Sequence, residues 1–311
     1  MRSSAASACQ AQSRIVVDTV TNDQEVWIED DRRWFLLEEK AMEVRAGRAF
    51  ALFREKEIEP VLIKGLAAAR FYPEPGSRAS IDMDLAVSAE DFEAASQIAI
   101  SAAAKGLAID IHRELRHFDS VEWKDLFANS QLIDVGDSKI RVLRLEDHLR
   151  VLCVHWLTDG GAFKERLWDI YYGVQNRPAN FDWDRFLNVV NERRRRWLVC
   201  AVGLAHHFLD LDLSNTPIED EAERLPQWLV KSVEKEWKRT RFRPLETVLH
   251  DPKQLLQQIL RRLNPNPVWA TIQMEGTFDA RMRVFYKIGS FVQRILPSIK
   301  RISTSITAKS K

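Results

Sequence analysis

The segment Ile81-Asp82-Met83-Asp84-Leu85-Ala86-Val87 constrains this chain more than any other. It reads as an apolar β-strand interrupted by two acids, two residues apart. Side chains alternate faces along a strand, so Asp82 and Asp84 point the same way. Adjacent carboxylates repel and need a cation, a proton or a basic partner. Hard divalent cations such as Mg²⁺ take oxygen ligands, often one or two carboxylates together with substrate phosphates. The fold must therefore bring phosphate or basic groups to this strand.

The rest of the chain sets the frame for that strand. Its 311 residues suffice for one large domain or two ordinary ones. The formal net charge of +1 gives no global field to attract nucleic acid or membrane, so no sequence-specific nucleic-acid partner is expected. Cys9, Cys153 and Cys200 are too far apart for a zinc site. Cys153 and Cys200 lie in apolar stretches as core thiols, which fits a reducing, cytoplasmic setting. No apolar run approaches the ~18 residues of a membrane span. The opening MRSSAASACQAQSR is small and polar, without the apolar core of a secretory signal, and reads as a disordered start over 1–28.

A long helix is expected from about Asp30 to Lys56, with Trp34, Leu37, Ala41, Val44 and Ala51 on its apolar face. Val61-Leu62-Ile63 is a short buried strand ended by Lys64-Gly65, and Leu66–Tyr72 a helix closed by Pro73 and Pro75. After the acidic strand, Asp91–Ala104 is an alanine-rich helix and Leu107–His112 a further strand. Another strand falls at Lys139–Leu143, after a turn region at Asp134–Asp137. From Glu146 the pattern is helical, with segments at Leu167–Ile170, Trp183–Asn191, Trp197–Leu209, Trp228–Trp237 and Leu255–Leu263. Arg193–Arg196 reads as a solvated helix face. The expected units are an α/β domain over 29–143, a helical domain over 144–278, and a basic amphipathic tail over 279–311.

Three features can converge: the strand–Lys–Gly–helix turn, the acidic pair, and Asp110 on a later strand. A glycine before a helix lets phosphate approach the backbone and the free helix N–H groups. Paired acids hold metal against the phosphates, and a third acid completes a two-metal site. That combination suits transfer of a nucleotidyl group from a nucleoside triphosphate.

At these residues the sequence resembles the uncharacterised nucleotidyltransferases of the polymerase-β-like superfamily. The superfamily pattern of a strand ending in glycine, an h-D-h-D-h strand and an h-D-h strand is matched by Ile63-Lys64-Gly65, Ile81–Leu85 and Ile109-Asp110-Ile111. Lys64-Gly65, Arg78 and Asp110-Ile111-His112 match the narrower family. Leu145–Leu149, His155, Leu167–Ile170 and Phe181-Asp182-Trp183 resemble its downstream elements.

The resemblance implies an α+β fold: a small mixed β-sheet of the nucleotidyltransferase type, with a long N-terminal helix and a helical C-terminal region. It implies Asp82, Asp84 and Asp110 as catalytic and metal-binding residues for Mg²⁺ or Mn²⁺. It implies Lys64, Gly65 and Arg78 as the nucleotide-binding set. His112, His155 and Asp169 are either acceptor-contacting or structural. The partners implied are an NTP and a small-molecule or peptide acceptor.

Two departures stand against the family pattern. Leu66 replaces the serine usual after the first glycine, and the segment before Asp110 is short, where the family has another strand. They motivate the alternative of a catalytically idle binding or regulatory module. After Asp279 the chain carries eight basic residues and no acid, interleaved with Phe285, Ile288, Phe291, Val292 and Ile295. Such a tail either docks on the core or makes weak contact with an anionic membrane surface.

Overall fold

The computed structural model describes residues 22–78, 80, 82–239 and 251–293. Side chains are described from Arg33 onward, those of Ala102, Ile259 and Leu263 excepted. Of the expected disordered start, 1–21 lies outside the described residues, while 22–28 is helical. Ile81 and residues 294–311 of the basic tail also lie outside them.

The fold is α+β, built on a mixed five-stranded sheet. A long helix, α1 (Asn22–Arg54), precedes β1 (Val61–Leu62) and a single helical turn, α2 (Leu66–Ala69). Then come β2 (Met83–Val87), α3 (Phe92–Ala99), β3 (Ile109–Arg113), α4 (Trp123–Ala128), β4 (Gln131–Val135) and β5 (Ser138–Val142). The strand order is β3-β2-β1-β5-β4. β2 runs antiparallel to β1 and parallel to β3, with Asp84 directly opposite Asp110. The sequence pattern assigns Gln131–Ile133 to no element and Asp134-Val135 to a turn region, and so misses β4. This segment is a strand, pairing with β5 across the tight turn Gly136-Asp137, where Gly136 takes φ +54°. The polar residues of β4 face solvent at the sheet edge, which blurred its alternation.

The helical half contains α5 (Leu145–Thr158), α6 (Leu167–Gln175), α7 (Trp183–Leu187), α8 (Glu192–Leu209), α9 (Glu219–Glu223), α10 (Gln227–Trp237), α11 (Pro252–Leu263) and α12 (Pro267–Gln273). Residues 284–293 form a last described helix, α13. Local sequence sets several of the starts. The Asp182 and Asn191 side chains accept from Arg185 N and Arg194 N, and Asn266 caps α12 with Pro267 at its first turn. These caps satisfy amide groups that have no partner within the helix.

Alternation along β2 splits the core. Met83, Leu85 and Val87 pack on one side with α1 residues Met42, Ala46, Ala49, Phe50 and Phe53. Ala86, with Val61 and Ile63 of the β1 segment, packs on the other side, in the same cluster as α5, α6 and α8. Asp84 shares the face of Ala86, so it looks toward the helical half. The α1 face differs from expectation: Trp34, Leu37 and Val44 are all at least 60% exposed. Apolar residues recur on both sides of this helix, and the sheet takes the side whose small residues, Ala46 and Ala49, allow close approach.

Charged groups tie the halves together. Arg150 on α5 is 1% exposed and donates to Asp119 at 2.8 Å, to Asp147 at 2.5 Å, and to the carbonyl of Arg185. Arg185 grips Asp147 with two further bonds of 2.8 and 2.9 Å and reaches Asp125 at 2.7 Å. In the arginine run on α8, Arg193 is exposed as expected, but the next three are not on a solvated face. Arg194 is buried and donates to the Phe118 carbonyl and to Glu275. Arg195 pairs with Glu221 and Arg196 with Asp279.

Candidate active site

Lys64 and Asp84 meet because β1 and β2 are antiparallel neighbours. The Ile63 N–H donates to the Asp84 carbonyl at 3.1 Å, which sets the next residue, Lys64, beside the Asp84 side chain. Lys64 Nζ lies 2.7 Å from Asp84 Oδ1. The other side of Ile63 is held by the helical half, because its carbonyl accepts from His148 Nε2 at 3.0 Å. The His148 Nδ1 then accepts from Arg70 at 3.2 Å, and Arg70 also donates to the Leu143 carbonyl. Burial, aided by Arg70, pushes the His148 pKa well below the ordinary histidine value. His148 is thus a neutral structural strut.

Gly65 follows with φ +59° and ψ −121°, a conformation that side-chain-bearing residues rarely take. A Cβ there would stand 3.3 Å from both the Asp82 carbonyl oxygen and Ser80 Oγ. The chain has a glycine at this point because its backbone conformation and the close approach of Ser80 and Asp82 leave a side chain little place.

The parallel β2–β3 register sets Asp84 opposite Asp110 and Ala86 opposite His112. His112 therefore stands two residues along from Asp110 on the same face. Its Nε2 lies 2.9 Å from Asp84 Oδ1 and 3.6 Å from Asp110 Oδ2. Asp84, Asp110 and His112 each offer one ligand atom, all within 4.8 Å of one another. Asp84 is buried, whereas the Asp110 side chain is 67% exposed. Burial alone would raise the Asp84 pKa. The bond from His112 and the Lys64 charge outweigh it and hold this carboxyl well below the usual carboxylate range.

The residues named from sequence separate into two groups. Lys64, Asp84, Asp110 and His112 converge. Asp82 is exposed and lies just before β2 rather than within it, outside that cluster. Arg78 is bound bidentately by Asp169, with Nε–Oδ1 2.8 Å and Nη2–Oδ2 2.9 Å, and its Nη1 donates to Ser80. Tyr72 donates to the same Asp169 at 2.8 Å. Burial opposes the Arg78 charge, and Asp169 more than restores it. Asp169 thus holds the Gly65–Asp84 loop from α6 through Arg78.

His155 approaches from α5 through Phe118. Lys64 Nζ lies 5.1 Å from the Phe118 ring centre, and the His155 ring 5.3 Å from it on an edge contact. Burial, then the Lys64 and Arg166 charges, push the His155 pKa down to about 3, so this ring is neutral. One turn later Asp159 lies 3.8 Å from His155 and lines a cavity of about 680 Å³. Among the described residues, Phe163, Lys164, Trp237 and Trp269 form much of its wall.

Sequence reading missed Tyr72, Phe118, Asp159 and His117, whose ring stacks on that of His112 with centroids 5.7 Å apart. None belongs to a spaced motif, and two have partners far off in the chain: Asp169 for Tyr72, Lys64 and His155 for Phe118. Phe118 had one indirect signal, an aromatic closely following the His112 strand.

A family model for an uncharacterised nucleotidyltransferase matches residues 28–210, from within α1 to the end of α8. The chain belongs to that family. No curated protein and no solved structure matches it.

The arrangement suits the divalent ion that nucleotidyl transfer usually employs. Two carboxylates and an imidazole converge at the sheet edge, with the Lys64 ammonium alongside Asp84.

Proposed function

We propose that this chain is a metal-dependent nucleotidyltransferase. It moves a nucleoside monophosphate from an NTP to a hydroxyl or phosphate of a small-molecule or peptide acceptor. The observation that carries this reading is the pairing of Asp84 opposite Asp110 with Lys64 Nζ 2.7 Å from Asp84. Asp84 and Asp110 would hold Mg²⁺ or Mn²⁺, and Asp82, which lies outside their cluster, would have to move to join them. The ion supplies charge neutralisation of the triphosphate and activation of the attacking oxygen.

The chain's own groups do the rest by position and charge. Gly65, beside Lys64, would present its backbone to the triphosphate. Lys64, already oriented by Asp84 and Phe118, shares its charge with the phosphates. Asp110 is exposed at the mouth of the site, and its carboxylate oxygen would receive the acceptor proton as the acceptor oxygen attacks the α-phosphorus. Pyrophosphate leaves with the electrons of the broken P–O bond. Arg78 steadies the loop before Asp84, locked by Asp169 and Tyr72. The acceptor occupies the cavity beyond His155, where Trp237, Trp269 and Phe163 offer flat faces and Asp159 and Lys164 offer charge.

Calorimetry with each NTP and Mg²⁺, followed by a pyrophosphate-release screen across acceptors, tests the reading. Unaltered binding and turnover in Asp84→Asn would sink it.

One observation favours a second reading. Lys64 and His112 both already sit on Asp84 Oδ1, so its charge is satisfied without a metal. An idle regulatory module would bind an NTP yet release no pyrophosphate with any acceptor, and its NTP affinity would not change on chelation of divalent ions.

A further inference from the structure

The three groups that converge here are not three carboxylates. Asp82 stands outside the cluster, and the third member is the imidazole of His112. Its Nε2 points between the two acids, 2.9 Å from one and 3.6 Å from the other.

The two carboxylates are each weakened as purely electrostatic ligands. Asp84 already shares Oδ1 with the Lys64 ammonium at 2.7 Å. Asp110 is two-thirds exposed, so water screens its charge. Mg²⁺ gives up water reluctantly and takes oxygen ligands, one or two carboxylates and substrate phosphates beside the waters it keeps. It gains little from this pair. A first-row transition dication gains an additional bond from a neutral ring nitrogen, a contribution that the Lys64 charge does not cancel.

We propose that His112 is a direct metal ligand, and that Asp84, Asp110 and His112 form a mixed oxygen–nitrogen site selecting a transition-series dication over Mg²⁺. The inference rests on the nucleotidyltransferase reading for the presence of a metal but assigns the ligand and the selectivity independently of turnover. Ion binding replaces the hydrogen bond between His112 and Asp84 Oδ1. The strand register sets this geometry, because β3 carries Asp110 and His112 on one face beside Asp84. Ala86, opposite His112, is small and leaves the ring room to turn toward the acids.

The experiment uses Mn²⁺ alone as the probe, on the full chain, without nucleotide. Pulsed electron paramagnetic resonance of bound Mn²⁺ reports a directly coordinated imidazole as ¹⁴N modulation. The expected result is ¹⁴N modulation in the wild type, lost in His112→Gln and retained in His117→Gln. Titration should show Mn²⁺ affinity falling at least about tenfold in His112→Gln, since losing even an outer-shell partner of a metal ligand costs about that much. Mg²⁺ affinity, measured by competition, should change less than about twofold. Bound Mn²⁺ with no ¹⁴N modulation overturns the proposal, as does modulation that survives in His112→Gln. Failure of Mn²⁺ to bind also overturns it. NTP binding in excess Mg²⁺, measured separately, distinguishes failure of this ligand assignment from failure of the nucleotidyltransferase reading.

Discussion

Replacing Arg150 by methionine should cost the fold about 4 kcal/mol. Arg150 is 1% exposed, and Asp119 and Asp147 beside it are as deeply buried. Methionine fills most of the volume, so the loss is one of charge pairing rather than of packing. Asp147 keeps its two bonds from Arg185. Asp119 keeps the Val121 N–H, at 3.1 Å. The variant therefore strands one buried carboxylate, which costs about 3–5 kcal/mol. The Arg185 carbonyl also loses its donor, adding roughly 1 kcal/mol at the low end. For a chain of this size about 4 kcal/mol corresponds to a fall in Tm of roughly 8 °C. Urea denaturation and scanning calorimetry at pH 7 measure it. The control is Arg150→Met with Asp119→Leu, which removes the stranded charge and should recover more than half of the loss. A single variant costing less than about 1 kcal/mol, or a double variant no more stable than the single, refutes the reasoning.

Other perturbations address the site itself. Gly65→Ala should destabilise by about 2–3 kcal/mol in urea denaturation, because its backbone angles and the 3.3 Å contacts with Asp82 and Ser80 exclude a side chain. Asp169→Asn should cost about 2–4 kcal/mol by leaving the Arg78 charge half paired, and Tyr72→Phe about 1 kcal/mol. The double variant should fall short of their sum, since both act on one carboxylate. For Asp84 the folded pKa is depressed, so its ionised form contributes stability above the unfolded value of about 3.9, and that contribution fades as pH falls through the folded value. The stability difference between wild type and Asp84→Asn, followed by denaturation from pH 7 to pH 2, should therefore be constant at the top and shrink below about pH 4.

What could be read from sequence was local. The alternation around Asp84, the Lys64-Gly65 stop and the Asp110-x-His112 spacing are set by neighbours in the chain, and they led to the right strands. The partnership of Arg78 with Asp169 spans 91 residues and has no local signature. The wrong face of α1 and the burial of Arg194 share one cause. Both depend on which surface arrives to cover them, and amphipathic periodicity does not encode that when apolar or charged residues occupy both sides. Asp82 and Asp84 looked equivalent in the one-dimensional pattern. The strand begins at Met83, so one became a buried, paired carboxylate and the other an exposed one. That asymmetry turned a symmetric acidic pair into a site where His112 competes for the third position.

Helix α5 touches Lys64's neighbourhood at one end and the cavity at the other. His148 holds the Ile63 carbonyl, and Thr158 and Asp159, about 16 Å further along the helix axis, line the pocket. A rigid helix carries a shift at one end to the other. Under the proposed function, mutations that enlarge or tilt the pocket by moving α5 would misplace the lysine that meets the triphosphate. Acceptor range can drift cheaply only through walls that do not belong to this rod, such as Trp237 on α10 and Trp269 on α12. Homologues with different acceptors should then vary at those two tryptophans while His148 and the length of α5 stay fixed, so that lineage variation maps chemistry that the fold permits to change.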